Sequence, residues 1–267
     1  MKSSQYAALS KVPAITLGFW IIKILATTFG ETAGDTVSMS WLGETTATAG
    51  QGGLNGYLVG TAIFLTALVV LVATQIRSLR FHPWLYWSTI IASTTAGTTM
   101  ADFATRSIGI GYPGGSLLLL GMVLASLLLW YQTEGSINVA DIHAPGTEVF
   151  YWVTITLSQT LGTALGDWVA DGPLGYLGAA SLFGLALVIL ALLYWQTAVS
   201  RVALFWAAFI LTRPLGATVG DFLDKPLASG GLELSRSAAS AALIVAIILL
   251  IIFVPQRTLS RGDKTTD

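Results

Sequence analysis

Asp35, Asp102, Asp167 and Asp221 share one setting. Each stands fifteen residues after the Trp of an aromatic-Trp pair: Phe19-Trp20, Tyr86-Trp87, Tyr151-Trp152 and Phe205-Trp206. A glycine follows each Trp by ten residues (Gly30, Gly97, Gly162, Gly216), and a small residue precedes each Asp (Gly34, Ala101, Gly166, Gly220). Four carboxylates in matching places suit a hard cation, which prefers oxygen ligands, or an acid ring that draws cations into a pore. Their plain alternative is architectural: they cap connections, or bond between repeats and lock the bundle. Carboxylates inside membrane spans are costly and default to function. Near a helix C-terminus they also oppose the macrodipole, so a compensating partner is expected.

On a helix, positions 0, 4, 7, 11 and 15 fall within about 80° of one another. Counted from the Trp, the first stripe reads Trp20, Ile24, Thr27, Glu31, Asp35, and the second Trp87, Ile91, Thr94, Thr98, Asp102. The third reads Trp152, Thr156, Gln159, Thr163, Asp167, and the fourth Trp206, Ile210, Arg213, Ala217, Asp221. The expectation is a passage lined by Thr27, Thr94, Thr98, Gln159 and Thr163, leading to a carboxylate ring. Glycines flank the stripe and allow close small-xxx-small helix packing.

Two cations fall inside the helical stretches. Lys23 is close enough to the Trp end to snorkel to the boundary. Arg213 lies deeper, before Pro214, where a kink is expected. It needs a carboxylate or a water-filled cavity. Glu31, on the matching stripe one turn farther along, is the expected partner. The pair would act as a gate, a proton-coupling element or a structural clamp.

Weaker candidates surround these. Asp171, four residues after Asp167, could share its helix face, Asp224 follows Asp221 by three, and Arg106 could neutralise Asp102, but all three read first as exposed loop charges. His82 and His143 lie in connections without metal-ligand spacing. Glu134, Asp141, His143 and Glu148 occupy the longest polar connection, 133–148, expected as a solvated loop. There is no phosphate loop, no nucleophile with its base and no dinucleotide fingerprint.

The chain has 267 residues, 54% hydrophobic and 10% charged, against about 25% charge in soluble domains. That composition predicts a membrane protein. The net charge of −1 offers no basic face for nucleic acid. The absence of cysteine excludes disulfides and thiol chemistry. A membrane helix needs about 20 apolar residues. Spans are expected near 12–35, 54–76, 84–105, 115–132, 149–170, 174–196, 202–223 and 236–254. The even-numbered ones are aliphatic and read as a lipid-facing layer.

The expected fold is all-α: one transmembrane domain of eight helices in four parallel two-helix repeats. The repeats fall near 12–76, 83–132, 149–196 and 202–254, with pseudo-fourfold or 2+2 symmetry about the membrane normal and a cytoplasmic tail at 255–267. Eight Lys and Arg residues fall on the side of the termini and three on the other, which places both termini in the cytoplasm. The four Trp then sit at the cytoplasmic interface, where aromatic belts form. The first apolar stretch carries a repeat copy and reads as a retained helix rather than a cleaved signal.

The stretches FYWVTITLSQTLGTALGDWVAD (150–171), LFWAAFILTRPLGATVGDFLDK (204–225) and TEGSINVADIHAPGTEVFYW (133–152) resemble a bacterial family of uncharacterised membrane-anchored proteins. That family is built from four repeats of unknown function. The resemblance implies a multi-pass protein of the bacterial inner membrane. Ala101 and Arg213-Pro214 depart from its repeat pattern. Separately, Glu31-Thr32-Ala33-Gly34-Asp35-Thr36 resembles the Glu-x-Gly-Asp signature of a manganese and calcium cation/proton exchanger family, in the first copy alone.

The leading expectation is therefore a cation transporter, for a divalent metal such as Mn²⁺ exchanged with protons. Asp35, Asp102, Asp167, Asp221 and Glu31 would hold the ion. No resident cofactor is expected. The partners are the lipid bilayer and a small cation, and the oligomeric state stays open. Two alternatives remain: a non-transporting scaffold or sensor reading partners through 133–148, and an intramembrane enzyme built on paired carboxylates, which lacks an identifiable nucleophile.

Overall fold

Helix starts carry the residues their unpaired backbone groups require. Thr16, Asn55, Ser200 and Ser235 accept a hydrogen bond from a first-turn N–H of the helices they precede. Pro83 and Pro145 occupy first-turn positions, where a missing N–H costs nothing. The computed structural model describes residues 10–44, 55–142 and 144–259. Among them are eight long α-helices: α1 (Leu17–Asp35), α2 (Gly56–Arg77), α3 (Pro83–Asp102), α4 (Gly111–Glu134), α5 (Pro145–Ala170), α6 (Gly175–Gln196), α7 (Arg201–Asp224) and α8 (Arg236–Phe253). Single π-helical turns at 36–41 and 103–107 carry α1 and α3 past their aspartates.

The odd helices form an inner circuit, α1 on α3, α3 on α5, α5 on α7 and α7 on α1. Each even helix lies mainly on the odd helix of the following repeat: α2 on α3, α4 on α5, α6 on α7, and α8 back on α1. Polar contacts mark two of these joints. Ser126 of α4 bonds Thr154 of α5 at 2.6 Å, and Ser240 of α8 donates to Thr32 of α1 at 2.8 Å. No repeat covers its own inner helix first, so the four units interlock.

Five helices, α2, α4, α6, α7 and α8, are long and apolar enough to cross a membrane. The even ones among them bury little of their surface and expose leucines such as Leu117, Leu177 and Leu185. α1, α3 and α5 fall short on hydropathy because their Thr, Ser, Gly and acidic residues face the interior, where packing hides them.

Boundaries depart from expectation at the first helix. Residues 12–16 are not helical; Pro13 bridges Thr258, and Ala14 N–H donates to Arg257 O. The tail expected from 255 is likewise part of the fold as far as Leu259, which is fully buried. α7 runs on through Pro214 as one helix.

Candidate functional site

The repeated phrase reads as a set of joints between neighbouring repeats. The aromatic before each Trp packs on the Trp of the next copy: Phe19 on Trp87 (5.5 Å between ring centroids), Tyr86 on Trp152 (5.7 Å), Tyr151 on Trp206 (6.3 Å) and Phe205 on Trp20 (5.9 Å). These rings close one end of the inner bundle. Trp87, Trp152 and Trp206 are buried among them, so the expected interfacial belt is an internal floor instead. Trp20 alone of the four is partly exposed.

Three chain segments cover this floor. Trp87 Nε1 donates to Gln256 Oε1 at 3.1 Å, and Trp206 Nε1 donates to Ile137 O at 3.0 Å. Ser10 Oγ donates to Val139 O, and Lys11 pairs with buried Glu148. The connection 133–148 is thus solvated only in part: 133–135 and 144–146 are exposed, whereas Val139, Ala140 and Ile142 enter the core beneath the aromatics. Glu134 and Asp141 accept from Thr147 and Ser136. His143 lies outside the described residues, and His82 is exposed at the start of α3.

The glycines ten residues after each Trp are sockets. A Cβ at Gly30 would strike Thr94, at Gly97 Gln159, at Gly162 Arg213 and at Gly216 Thr27, each closer than 3.0 Å. Each socket receives the residue seven after the Trp of the next repeat. Gly34, Gly166 and Gly220 repeat the relation one turn on, receiving Thr98, Ala217 and Glu31. The glycine spacing thus brings the inner backbones together and turns the side chains at 7 and 11 toward one axis.

That axis is closed to solvent. Thr27, Thr94, Thr98, Gln159 and Thr163 are fully buried. Arg213 crosses it: Nη2 donates to Glu31 Oε2 at 2.9 Å and to the hydroxyls of Thr98 and Thr163 at 2.5 Å, and Nη1 reaches Thr27 O at 3.3 Å. One guanidinium on α7 therefore binds α1, α3 and α5. Ala217, the counterpart of Glu31, Thr98 and Thr163, is small and fully buried. The expected pairing of Arg213 with Glu31 is present, among side chains shut off from solvent.

Toward the aromatic floor the inward position is the third after the Trp, not the fourth. Lys23, Ile90, Ile155 and Phe209 are fully buried, whereas Ile24, Ile91, Thr156 and Ile210 are partly exposed. Lys23 is therefore no boundary lysine. Its Nζ lies 4.2 Å from the centre of the Phe209 ring, a cation–π contact.

At the far end the four aspartates come together, each at most 3% exposed, but as two bridged pairs rather than a uniform ring. Arg106 contacts Asp102 at 3.2 Å and Asp167 at 2.9 Å. Lys225 contacts Asp221 at 2.8 Å and Asp35 at 2.9 Å. Each cation stands four residues after the Asp of its own repeat and reaches the Asp of the next, which supplies the compensation the helix dipoles call for. Asp224 is bound by Arg236 at 2.8 Å. Arg106 and Asp224 are thus network members, not loop charges, while exposed Asp171 accepts from Tyr112. Lys225 and Arg236 escaped the sequence reading; the four-residue offset shared by Arg106 and Lys225 is the signal that could have found the first.

Six carboxylates meet here, Glu31, Asp35, Asp102, Asp167, Asp221 and Asp224, against four cations, Arg106, Arg213, Lys225 and Arg236. Oxygens of Glu31, Asp167 and Asp221 lie within 4.8 Å of one another, as do those of Asp35, Asp221 and Asp224. Ca²⁺, with oxygens at about 2.3–2.6 Å, holds opposite ligands at about that span, and a smaller ion needs a slight contraction. Oδ1 of Asp35 and Oδ1 of Asp167 are buried without a hydrogen-bond partner among the described residues.

Comparison with known proteins gives a family but no activity. Neither the curated proteins nor the solved structures contain a match to this chain. The family Repeat of Unknown Function (DUF347) matches four times, at residues 18–81, 85–136, 150–200 and 204–258. Each match holds one aromatic-Trp-to-Asp phrase and the aliphatic helix after it, so the chain belongs to the DUF347 repeat family.

Proposed function

We propose that this protein is an eight-span transporter of the bacterial inner membrane, with both termini cytoplasmic, that carries a divalent cation in exchange for protons. Its four parallel repeats would be related by a pseudo-fourfold axis along the membrane normal, reduced to 2+2 by the pairing of the aspartates. The observation that carries the reading is the charge balance of the buried cluster, two carboxylates in excess of its cations. A buried excess of that size is offset by one divalent ion or by two protons, which is the bookkeeping of an exchanger. Burial without such compensation is expensive.

Glu31, Asp167 and Asp221 would hold the ion, with Asp35, Asp102 and Asp224 as neighbouring proton carriers. The aromatic floor would close the cytoplasmic end, and the bridges of Arg106 and Lys225 the outer end. Exchange would require these closures to open in turn. The preference for Mn²⁺ rests on the Glu31–Asp35 phrase, which has two residues between Glu and Gly where the exchanger signature has one.

A second reading has its own support. Every repeated Asp is tied to a neighbouring repeat through Arg106 or Lys225, as a scaffold that merely locks its bundle would require. Uptake into proteoliposomes across Mn²⁺, Ca²⁺, Mg²⁺ and Zn²⁺ separates the two. A transporter gives protein-dependent uptake of at least one ion, reduced by Asp167→Asn in protein that remains folded. Uptake equal to that of empty liposomes for all four ions leaves the scaffold.

A further inference from the structure

α6 packs on α7, and α7 packs on α1. Beside the aromatic floor a cleft of about 430 Å³ opens between these three helices. Trp20, the one partly exposed Trp of the repeated phrase, lines it. Its body is apolar, with Leu187, Ala191 and Ala208 along the walls, and Leu17 and Trp195 at its edge are highly exposed.

The polar groups of the lining gather where two helices begin. Thr16 caps α1, Arg201 is the first residue of α7, and Asn138 comes from the segment beneath the aromatic floor. Arg201 lies over the Tyr194 ring, 4.4 Å from its centre, and one N–H donates to Tyr194 O. A guanidinium carries five N–H donors in a fixed fork that suits phosphate. Two helix N-termini add positive potential at the same point. Among the described residues no carboxylate lines the cleft.

We infer that this cleft is a binding site for an anionic phospholipid, its phosphate held by Arg201 and one acyl chain laid between α6 and α7 beside Ala208. The apolar walls open on faces that expose large hydrophobic side chains, as lipid-facing surfaces do. The single positive charge sits at one end, as a headgroup requires. Basic pockets between membrane helices on the cytoplasmic side bind acidic headgroups in this way.

Native mass spectrometry of the purified full chain tests the site, using phosphatidylglycerol and phosphatidylcholine with identical acyl chains. The wild type should retain phosphatidylglycerol about fivefold more than phosphatidylcholine, because both carry a phosphate but the choline cation of the second repels Arg201 and cancels the net negative charge it would attract. Arg201→Gln should abolish that preference and Arg201→Lys preserve it. Ala208→Trp, which fills the groove, should lower retention of both lipids. Circular dichroism checks that each variant keeps its helices. Equal retention of the two lipids by the wild type, or an unchanged preference in Arg201→Gln, would overturn the inference. Unchanged retention in Ala208→Trp would overturn the placement of the acyl chain.

Discussion

Arg213 Nη2 stands 2.9 Å from Glu31 Oε2, with the arginine fully buried and the glutamate 4% exposed. The same nitrogen holds Thr98 and Thr163, so this pair is where all four inner helices meet. Breaking a buried pair strands a charge and costs about 3–5 kcal/mol. Arg213→Gln should therefore lower the unfolding temperature in detergent sharply. Adding Glu31→Gln should restore part of the loss, because the second change removes the stranded carboxylate. A double variant less stable than Arg213→Gln would contradict the pairing.

The glycine sockets give a second expectation. At Gly97 an added Cβ would lie 3.0 Å from the backbone of Gln159 and Thr160, which cannot swing aside. Gly97→Ala should destabilise by about 1–3 kcal/mol through overpacking. Gly121 on α4 and Gly184 on α6 have nothing within 4 Å of the added carbon. Alanine there should be neutral or slightly stabilising, since helix propensity improves. Comparing the three melting temperatures checks the assignment of the inner layer.

Lys225 carries a pH-dependent expectation. It bridges Asp35 and Asp221, so Lys225→Met leaves two buried carboxylates short of their shared cation. The cost is present while those carboxylates are ionised and falls as they take up protons. The stability gap between wild type and Lys225→Met should therefore narrow as pH is lowered. Asp35→Asn in the Lys225→Met background should narrow it at neutral pH as well. A gap that widens in acid would contradict the bridge. Thermal unfolding over a pH series reads all of these.

At the aromatic floor, the Tyr86 and Tyr151 hydroxyls bond at 2.7 Å, while the matching residues of the other two repeats are Phe19 and Phe205, with ring centroids 6.5 Å apart. Tyr86→Phe should cost about 1–3 kcal/mol by leaving the buried Tyr151 hydroxyl unpaired. The Tyr86→Phe/Tyr151→Phe double variant should recover most of that, because it reproduces the pair already used by the other repeats. Unfolding midpoints of the single and double variants decide it.

Much of this architecture could be read from spacing. Four copies of one phrase marked the inner helices, and helical periodicity put Glu31, Arg213 and the aspartates on one side. The periodicity leaves the phase of the stripe uncertain by one residue near the Trp, and so the stripe runs through Ile24 and Ile210 where the structure buries Lys23 and Phe209. What stayed hidden was relational. That Gly162 receives Arg213, or that α2 covers α3 rather than α1, depends on which repeat follows which around the bundle, and a single repeat cannot encode it. The 133–148 connection misled because its polar composition resembles a loop, while its few apolar residues, Val139, Ala140 and Ile142, are the ones that enter the core.

The measurement closest to the central claim is simultaneous recording of divalent cation uptake and internal pH in proteoliposomes, for wild type and Glu31→Gln. The charge balance of the buried cluster predicts that cation entry drives protons outward, about two for each divalent ion, and that Glu31→Gln lowers both fluxes together in protein that remains folded. Cation entry without proton movement, or fluxes unchanged by Glu31→Gln, would contradict it.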